Sequence, residues 1–324
     1  MPEVTMVQGL NAALRHCLRE DPKVLVFGED VGKLGGVFRV TDGLQAEFGP
    51  DRVFDTPLAE SAIVGFGVGL ALAGWRPVVE MQFDGFSYPA LDQVISHVAK
   101  YRYRSRGQLR VPMVIRIPFG GGIRGVEHHS ESPEVYYTHT AGLKVVVPST
   151  PLDAFQLLLT SVREPDPVIF LEPKSRYWAK ESGDLVPAGE PLGVARVRRE
   201  GTHCTLVSWG GMVSRCLEAA EAAAEDGVEL EVLDLRSLVP MDTEALLRSA
   251  RKTGRVVVVH EAPLTSGFGG EVAARVMEGA FDHLQAPVLR VTGYDTPYPP
   301  ALLEDHYLPS VDRILLAVDR VLRY

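Results

Sequence analysis

Short apolar runs recur through this chain at intervals too short for membrane spans and too regular for loops. Val24-Leu25-Val26-Phe27, Pro77-Val78-Val79-Glu80-Met81-Gln82-Phe83, Val111 to Pro118, Lys144-Val145-Val146-Val147-Pro148 and Val168-Ile169-Phe170-Leu171 read as strands. Between them the spacing predicts helices near residues 42–49, 60–74, 89–104 and 151–163. A strand that is apolar on both faces has to be covered on both, which calls for a parallel sheet with helices above and below it. The fold class is therefore α/β.

Over residues 184–200 the pattern lapses into Gly, Pro and isolated charges, which predicts a linker. A second alternation follows. Cys204 to Trp209, Leu230 to Leu235, Arg255 to His260 and Val288 to Val291 read as strands, and Ser214 to Asp226, Thr243 to Lys252 and residues 269–281 as helices. The expected organisation is a first domain over 1–183, a linker over 184–200 and a smaller α/β domain over 201–324. A length of 324 residues suits two domains that each build a core.

Hydrophobic content of 46% with 23% charged residues belongs to a globular protein. A net charge of −9 speaks against nucleic acid as the main partner, since phosphate binding needs a basic surface. Cys17, Cys204 and Cys216 have no metal-ligand spacing and suggest a reducing compartment. The first residues lack the features of a signal peptide, and no apolar run approaches the roughly 18 residues of a membrane span. The expectation is a cytoplasmic protein without a membrane partner.

Function is sought at the carboxyl ends of the parallel strands, where such folds bind ligands. Glu29 follows the first strand there, and Leu58 and Glu60 precede an apolar helix. Gln82, Phe83 and Phe86 follow the second strand, and the loop Gly125 to Glu131 carries His128 and His129. Glu60 in a first helical turn also has a plain reading, because the helix dipole favours an acid there by roughly 0.3–1 kcal/mol. Two aromatics, carboxylates, an amide and a histidine together suit a flat heteroaromatic ligand better than a sugar or a metal. There is no G-x-x-x-x-G-K-[ST] phosphate loop, and Gly65-x-Gly67-x-Gly69 lies inside the helix, where small residues let another helix approach closely. Gly120-Gly121-Gly122 reads equally as an active-site loop or as a connector.

At these positions the sequence resembles the β subunit of the thiamine-diphosphate-dependent 2-oxo acid dehydrogenases. The likeness rests on Asp55-Thr56-Pro57-Leu58-x-Glu60, Glu80-x-Gln82-Phe83 and Gly142-Leu143-Lys144-Val145-Val146-x-Pro148. Trp209-Gly210 and Gly267-Phe268-Gly269-Gly270-Glu271 extend it through the second domain. The resemblance implies an N-terminal parallel-sheet domain that binds the thiamine pyrimidine and a C-terminal transketolase-like α/β domain. It implies that Glu60 is the carboxylate against the pyrimidine ring nitrogen, and that Phe86 stacks on that ring where relatives often have Tyr. Glu29, Leu58 and Gln82 match positions lining the same pocket. His129 matches the active-site histidine, which with Phe86 meets the substrate and either stabilises the intermediate or assists acyl transfer to lipoamide.

The family binds the diphosphate through magnesium held by a Gly-Asp-Gly segment and a later asparagine. No Gly-Asp-Gly occurs here, and Gly183-Asp184-Leu185 lies in the linker. The resemblance thus implies half a site, completed by an α subunit that holds Mg2+ and the diphosphate in an α2β2 heterotetramer. That enzyme would pass its acyl group to a lipoylated acyltransferase core. Tyr101-Arg102-Tyr103-Arg104-Ser105 and His129 to Glu134 resemble the branched-chain enzymes more than the pyruvate enzymes, which stand as the alternative.

Two rival readings follow from the same residues. One is a metal hydrolase built on Glu127, His128, His129, Glu131 and His139, although adjacent histidines lack the i, i+4 spacing of a helical metal site. The other is a non-catalytic docking subunit. The acidic, aromatic segment Glu304-Asp305-His306-Tyr307 is expected to be an exposed docking surface for the acyltransferase.

Overall fold

The computed structural model describes residues 2–324. Strand β1 (Glu3–Thr5) leads into helix α1 (Met6–Glu20), which opens on a capping box: Thr5 accepts from the Gln8 N–H, and Gln8 reaches back to the Thr5 N–H. Then come β2 (Val24–Gly28), α2 (Leu44–Phe48), β3 (Val53–Asp55), α3 (Glu60–Leu72) and β4 (Arg76–Glu80). Next are a 3₁₀ segment Asp84–Ala90, α4 (Leu91–Gln93), a π turn Val94–Val98 and α5 (Tyr101–Arg104). Strand β5 (Val114–Phe119), α6 (Glu134–Thr138), β6 (Lys144–Val146), α7 (Pro151–Arg163), β7 (Val168–Pro173) and β8 (Lys180–Ser182) finish the first half.

The second half contains β9 (Arg196–Arg199), β10 (Cys204–Ser208), α8 (Met212–Glu225), β11 (Leu230–Asp234), β12 (Ser237–Val239) and α9 (Thr243–Thr253). Strand β13 (Val256–Pro263), α10 (Gly269–Ala280), β14 (Leu289–Gly293), α11 (Glu304–Tyr307) and α12 (Val311–Leu322) close the chain.

A seven-stranded sheet runs β12-β6-β7-β5-β4-β2-β3, and a five-stranded sheet runs β14-β13-β10-β11-β9. Pairing is parallel except where β12 meets β6 and β9 meets β11, and β1 pairs antiparallel with β8. Alternate residues of one strand face opposite layers. Val24 and Val26 pack with Leu10, Leu14, Phe155 and Leu158 of α1 and α7, while Leu25 and Phe27 pack with Ile63, Val64 and Val68 of α3. Both faces are covered, which is why these strands are apolar throughout.

Three expectations change. The helix read over 89–104 is a series of short turns, with Pro89 inside the first. The strand read through Phe83 stops at Glu80, so Gln82 and Phe83 lie beyond its end. Within the stretch read as linker, Arg196–Arg199 forms an edge strand of the second sheet. Among the described residues no helix is long and apolar enough to cross a membrane.

Candidate active site

The carboxyl ends of β2, β3 and β4 open together, because those strands are in register: Gly28 stands opposite both Asp55 and Glu80. Glu29 follows β2 and is only 6% exposed, yet its Oε1 has no hydrogen-bond partner among the described residues. Burial first, then the nearby Glu60 charge, pushes the Glu29 carboxyl above its usual range. Glu60 occupies the first turn of α3, whose N-cap Ala59 offers no side-chain hydrogen bond. It lines an open pocket with Phe66 of the same helix and with Pro89 and Gln93. Leu58, just before the helix, is exposed.

Gln82 holds the turn after β2: its Nε2 donates to Asp30 Oδ2 at 2.8 Å and reaches the Glu29 carbonyl at 3.5 Å. Beside it the Phe83 ring stacks on the His129 imidazole, with centroids 3.9 Å apart and planes 12° from parallel. Phe86 meets both rings edge-on, at 5.9 Å from Phe83 and 5.1 Å from His129. His129 Nδ1 lies 3.0 Å from the His128 carbonyl. A carbonyl can only accept, so that contact places the proton on Nδ1 and leaves the Nε2 lone pair available. The segment Asp84–Gln93 therefore links the two halves of the site, with Phe86 against His129 and Pro89 beside Glu60. No hydrogen bond joins Glu60 to His129 among the described residues.

The residues of the metal reading disperse. The Glu131 side chain accepts from the Tyr88 hydroxyl, and His139 lines a groove with Leu91 and Tyr136. His128 is exposed beside Glu127. Among the described residues no three His, Cys, Asp or Glu side chains are placed to hold a metal ion.

Behind the site lie buried polar residues that the sequence reading passed over. Arg116 donates to Glu80 at 2.6 Å and to Glu172 at 2.7 and 2.9 Å, and Tyr177 donates to Glu172 at 2.7 Å. Asp84 pairs with Lys174 at 2.6 Å, both fully buried. Breaking such a pair on one side costs about 3–5 kcal/mol, because the other charge is left buried alone. The expectation of an exposed acidic segment at 304–307 is corrected: Glu304 is 2% and Tyr307 6% exposed. Glu304 is occupied by the Arg124 N–H and the Tyr298 hydroxyl, whereas Asp305 is exposed.

A buried carboxylate oxygen lacking a donor, near the acid that lines an open pocket on α3, fits a flat nitrogen heterocycle that offers N–H groups. Comparisons with known proteins identify the family. Residues 2–179 match the family model described as transketolase, pyrimidine binding domain, and residues 193–314 match transketolase, C-terminal domain. A pyruvate dehydrogenase E1 component subunit beta of Leifsonia xyli subsp. xyli is 58% identical over 98% of this chain and 95% of its own length. A 3-methyl-2-oxobutanoate dehydrogenase subunit beta of Mycobacterium tuberculosis is 56% identical over 99% of this chain and 92% of its own. A 2-oxoisovalerate dehydrogenase subunit beta of Pseudomonas aeruginosa is 47% identical over 98% and 95%.

The chain belongs to the β subunits of the 2-oxo acid dehydrogenases. The family is thiamine-diphosphate-dependent, and its members act on pyruvate or on branched-chain 2-oxo acids. The fold is the transketolase-like pair of α/β domains expected from the sequence. A solved chain titled split gene transketolase, inactive beta4 tetramer, superposes with a TM-score of 0.81 at 25% identity, over 99% of this chain and 98% of that one.

Proposed function

We propose that this chain is the β half of an α2β2 branched-chain 2-oxo acid dehydrogenase, acting on 3-methyl-2-oxobutanoate and passing the acyl group to lipoamide of an acyltransferase core. The observation that carries the reading is Glu60 at an open pocket, with the buried and donor-less Glu29 near it, on an apolar helix that exposes Phe66, in a chain without a Gly-Asp-Gly segment. Half of a thiamine site is present and the other half is not encoded. The α subunit would hold Mg2+ and the diphosphate, so the cofactor would lie across the interface in a cytoplasmic enzyme.

When bound, thiamine diphosphate supplies a thiazolium carbon that is nucleophilic toward a 2-oxo carbon once deprotonated. Glu60 would hold the proton at the pyrimidine ring nitrogen. Phe86 would cover the ring face, and Leu58, Gln82 and the Glu29 carboxylate would line its rim. At the substrate end, His129 would give or take a proton through Nε2, the nitrogen its backbone contact leaves free.

The branched-chain preference is supported by Tyr101 to Ser105 and His129 to Glu134, and by the names of the relatives at 56% and 47% identity. The relative at 58% favours pyruvate as the second reading. A hydrophobic pocket separates such acids by only about 1–3 kcal/mol per methylene, so the two are close. The test is to purify this chain alone and together with candidate α chains. The lone chain is expected to bind thiamine diphosphate poorly and to be inactive, and the pair to decarboxylate 3-methyl-2-oxobutanoate faster than pyruvate. Tight magnesium-dependent binding by the lone chain overturns the half-site, and faster turnover of pyruvate overturns the substrate.

A further inference from the structure

The loop that carries His129 leaves β5 after Phe119 and closes on itself, where the Gly120 N–H donates to the Glu131 carbonyl at 2.9 Å. Between those residues its regular structure is the single turn Glu127–His129, and Ile123, Arg124, Val126 and Glu127 are exposed. Packing against Phe83 and Phe86 holds the His129 ring, but the exposed stretch before it has little side-chain packing to hold its course. Instead, its backbone is tied at three points, each to a buried carboxylate. The Gly121 N–H donates to Glu261 Oε2 at 2.8 Å. The Arg124 N–H is shared between both oxygens of Glu304, at 3.1 and 3.2 Å. The Glu131 N–H donates to Asp84 Oδ2 at 3.0 Å. Asp84, Glu261 and Glu304 are 0%, 6% and 2% exposed.

Two of these acids come from the second domain, Glu261 near the end of β13 and Glu304 at the start of α11. That domain supplies none of the residues proposed to meet the cofactor. We propose that Glu304 is a positioning residue of the active site, and that the second domain sets the geometry of His129 by accepting backbone N–H groups of its loop. The inference rests on the reading of His129 as the group at the substrate end.

The local chemistry favours this role over ordinary charge pairing. The Arg124 guanidinium turns outward to the exposed Asp305 at 3.3 Å, so Glu304 is left to the Arg124 main chain. Arg124 sits in the left-handed region at φ 56°, where a side-chain-bearing residue is held only by its surroundings. Lys174, the nearby buried cation, makes its ion pair with Asp84. The Tyr298 hydroxyl donates to Glu304 Oε2 at 2.8 Å and also fixes the path of Gly121, where any Cβ would collide with it. The N–H groups reach buried carboxyl oxygens whose positions are fixed by the fold, so these bonds come pre-aligned.

The test uses the enzyme assembled with its α partner, measuring amide exchange over Gly121 to Glu131 and steady-state kinetics. Glu304→Ala is expected to speed loop exchange by about ten-fold or more. It should also lower kcat by about ten- to a hundred-fold, with a smaller change in KM, as for a slightly misplaced catalytic group. Glu304→Gln keeps an oxygen that can accept the Arg124 N–H and should restore most of kcat. Asp305→Ala, which loses only the exposed pair, should match wild type. Wild-type loop exchange or wild-type kcat in Glu304→Ala overturns the inference, and so does a Gln variant as impaired as Ala. If Glu304→Ala does not assemble, Tyr298→Phe takes its place: faster loop exchange with lower kcat supports the inference, and wild-type values of both overturn it. Wild-type turnover in His129→Ala is a separate failure. It removes His129 from the chemistry, and with it the catalytic half of this inference, whatever the loop exchange shows.

Discussion

The first domain holds two groups of acids that differ in how they are answered. Inside the sheet, Glu80 and Glu172 grip Arg116 from both sides, and Tyr177 supplies a further donor. At the end of the same strands, Glu29 is almost equally buried but keeps an oxygen without a donor among the described residues. Glu60 stands nearby on a helix that has no side-chain cap. The interior group is completed by the chain itself, so its role is to hold strands together. The outer group costs free energy in the isolated chain, and it sits where a ligand and a partner can supply what is missing. Charge matched within the chain is structural here, and the unmatched acids are the ones we propose as the site.

The comparison is broken most directly at Glu60. In the assembled enzyme, Glu60→Gln should preserve melting temperature and most of the cofactor affinity while slowing turnover by roughly 10²–10⁴-fold, the scale of a positioned proton-transfer group. Thiazolium proton exchange reads that step, and a near-normal exchange rate would remove Glu60 from it. The next effect concerns the bare helix. Helix α12 buries Ile314, Val318 and Val321 along one stripe and leaves Leu316 exposed among polar neighbours. Helix α3 is apolar all round, yet exposes Phe66 at 50%. A helix of that kind is expected to be covered. Phe66→Glu should weaken association with the α partner by about 30-fold or more, as for an interface residue worth ~2 kcal/mol, while Leu316→Glu should leave it unchanged. Sedimentation of mixed subunits checks both, and equal effects would mean that α3 is ordinary surface.

Much of this was legible in the chain because it is local. Continuously apolar strands with helices between them mark the two parallel sheets, and the ends of the first strands bring Glu29, Glu60, Gln82 and Phe86 to one side. What escaped reading depends on distant partners. Strand β12 crosses from the second half to pair with β6, and three residues carry no pattern that announces it. Strand β9 is Arg-Val-Arg-Arg, which looks like a solvated linker until Asp153, Glu190 and Asp234 are found against Arg196 and Arg198. Glu304 beside Asp305 reads as an acidic surface, and its burial is set by a main-chain N–H 180 residues earlier. The 89–104 segment has helical periodicity, but Pro89 and the π turn divide it.

Glu134 is the sharpest test of the contrast, because it is unmatched without lying at the open end. It begins α6 and is 1% exposed, with neither carboxylate oxygen hydrogen-bonded among the described residues. Burial pushes its carboxyl up to about 8 from an ordinary 4.5, so near neutral pH it keeps its own proton and carries no charge. The folded state then binds that proton more tightly than the unfolded chain. Its contribution to stability is complete below the ordinary value of 4.5 and is lost as pH rises through about 8. His260 works in the opposite direction and outside this window: burial lowers it from 6.5 to about 3, so its contribution is lost only as pH falls below 6.5. Glu134→Gln is neutral at every pH and nearly the same shape. It should flatten the decline in melting temperature between pH 7 and 9 and raise the value at pH 9 by roughly 2–4 °C, the shift expected for about 1 kcal/mol in a chain of this order of size. Thermal melts of the two proteins across that range decide the matter. Parallel curves would mean that Glu134 is ionised in the fold and has a partner, which would place it with Glu80 and Glu172 among the acids that the chain itself answers.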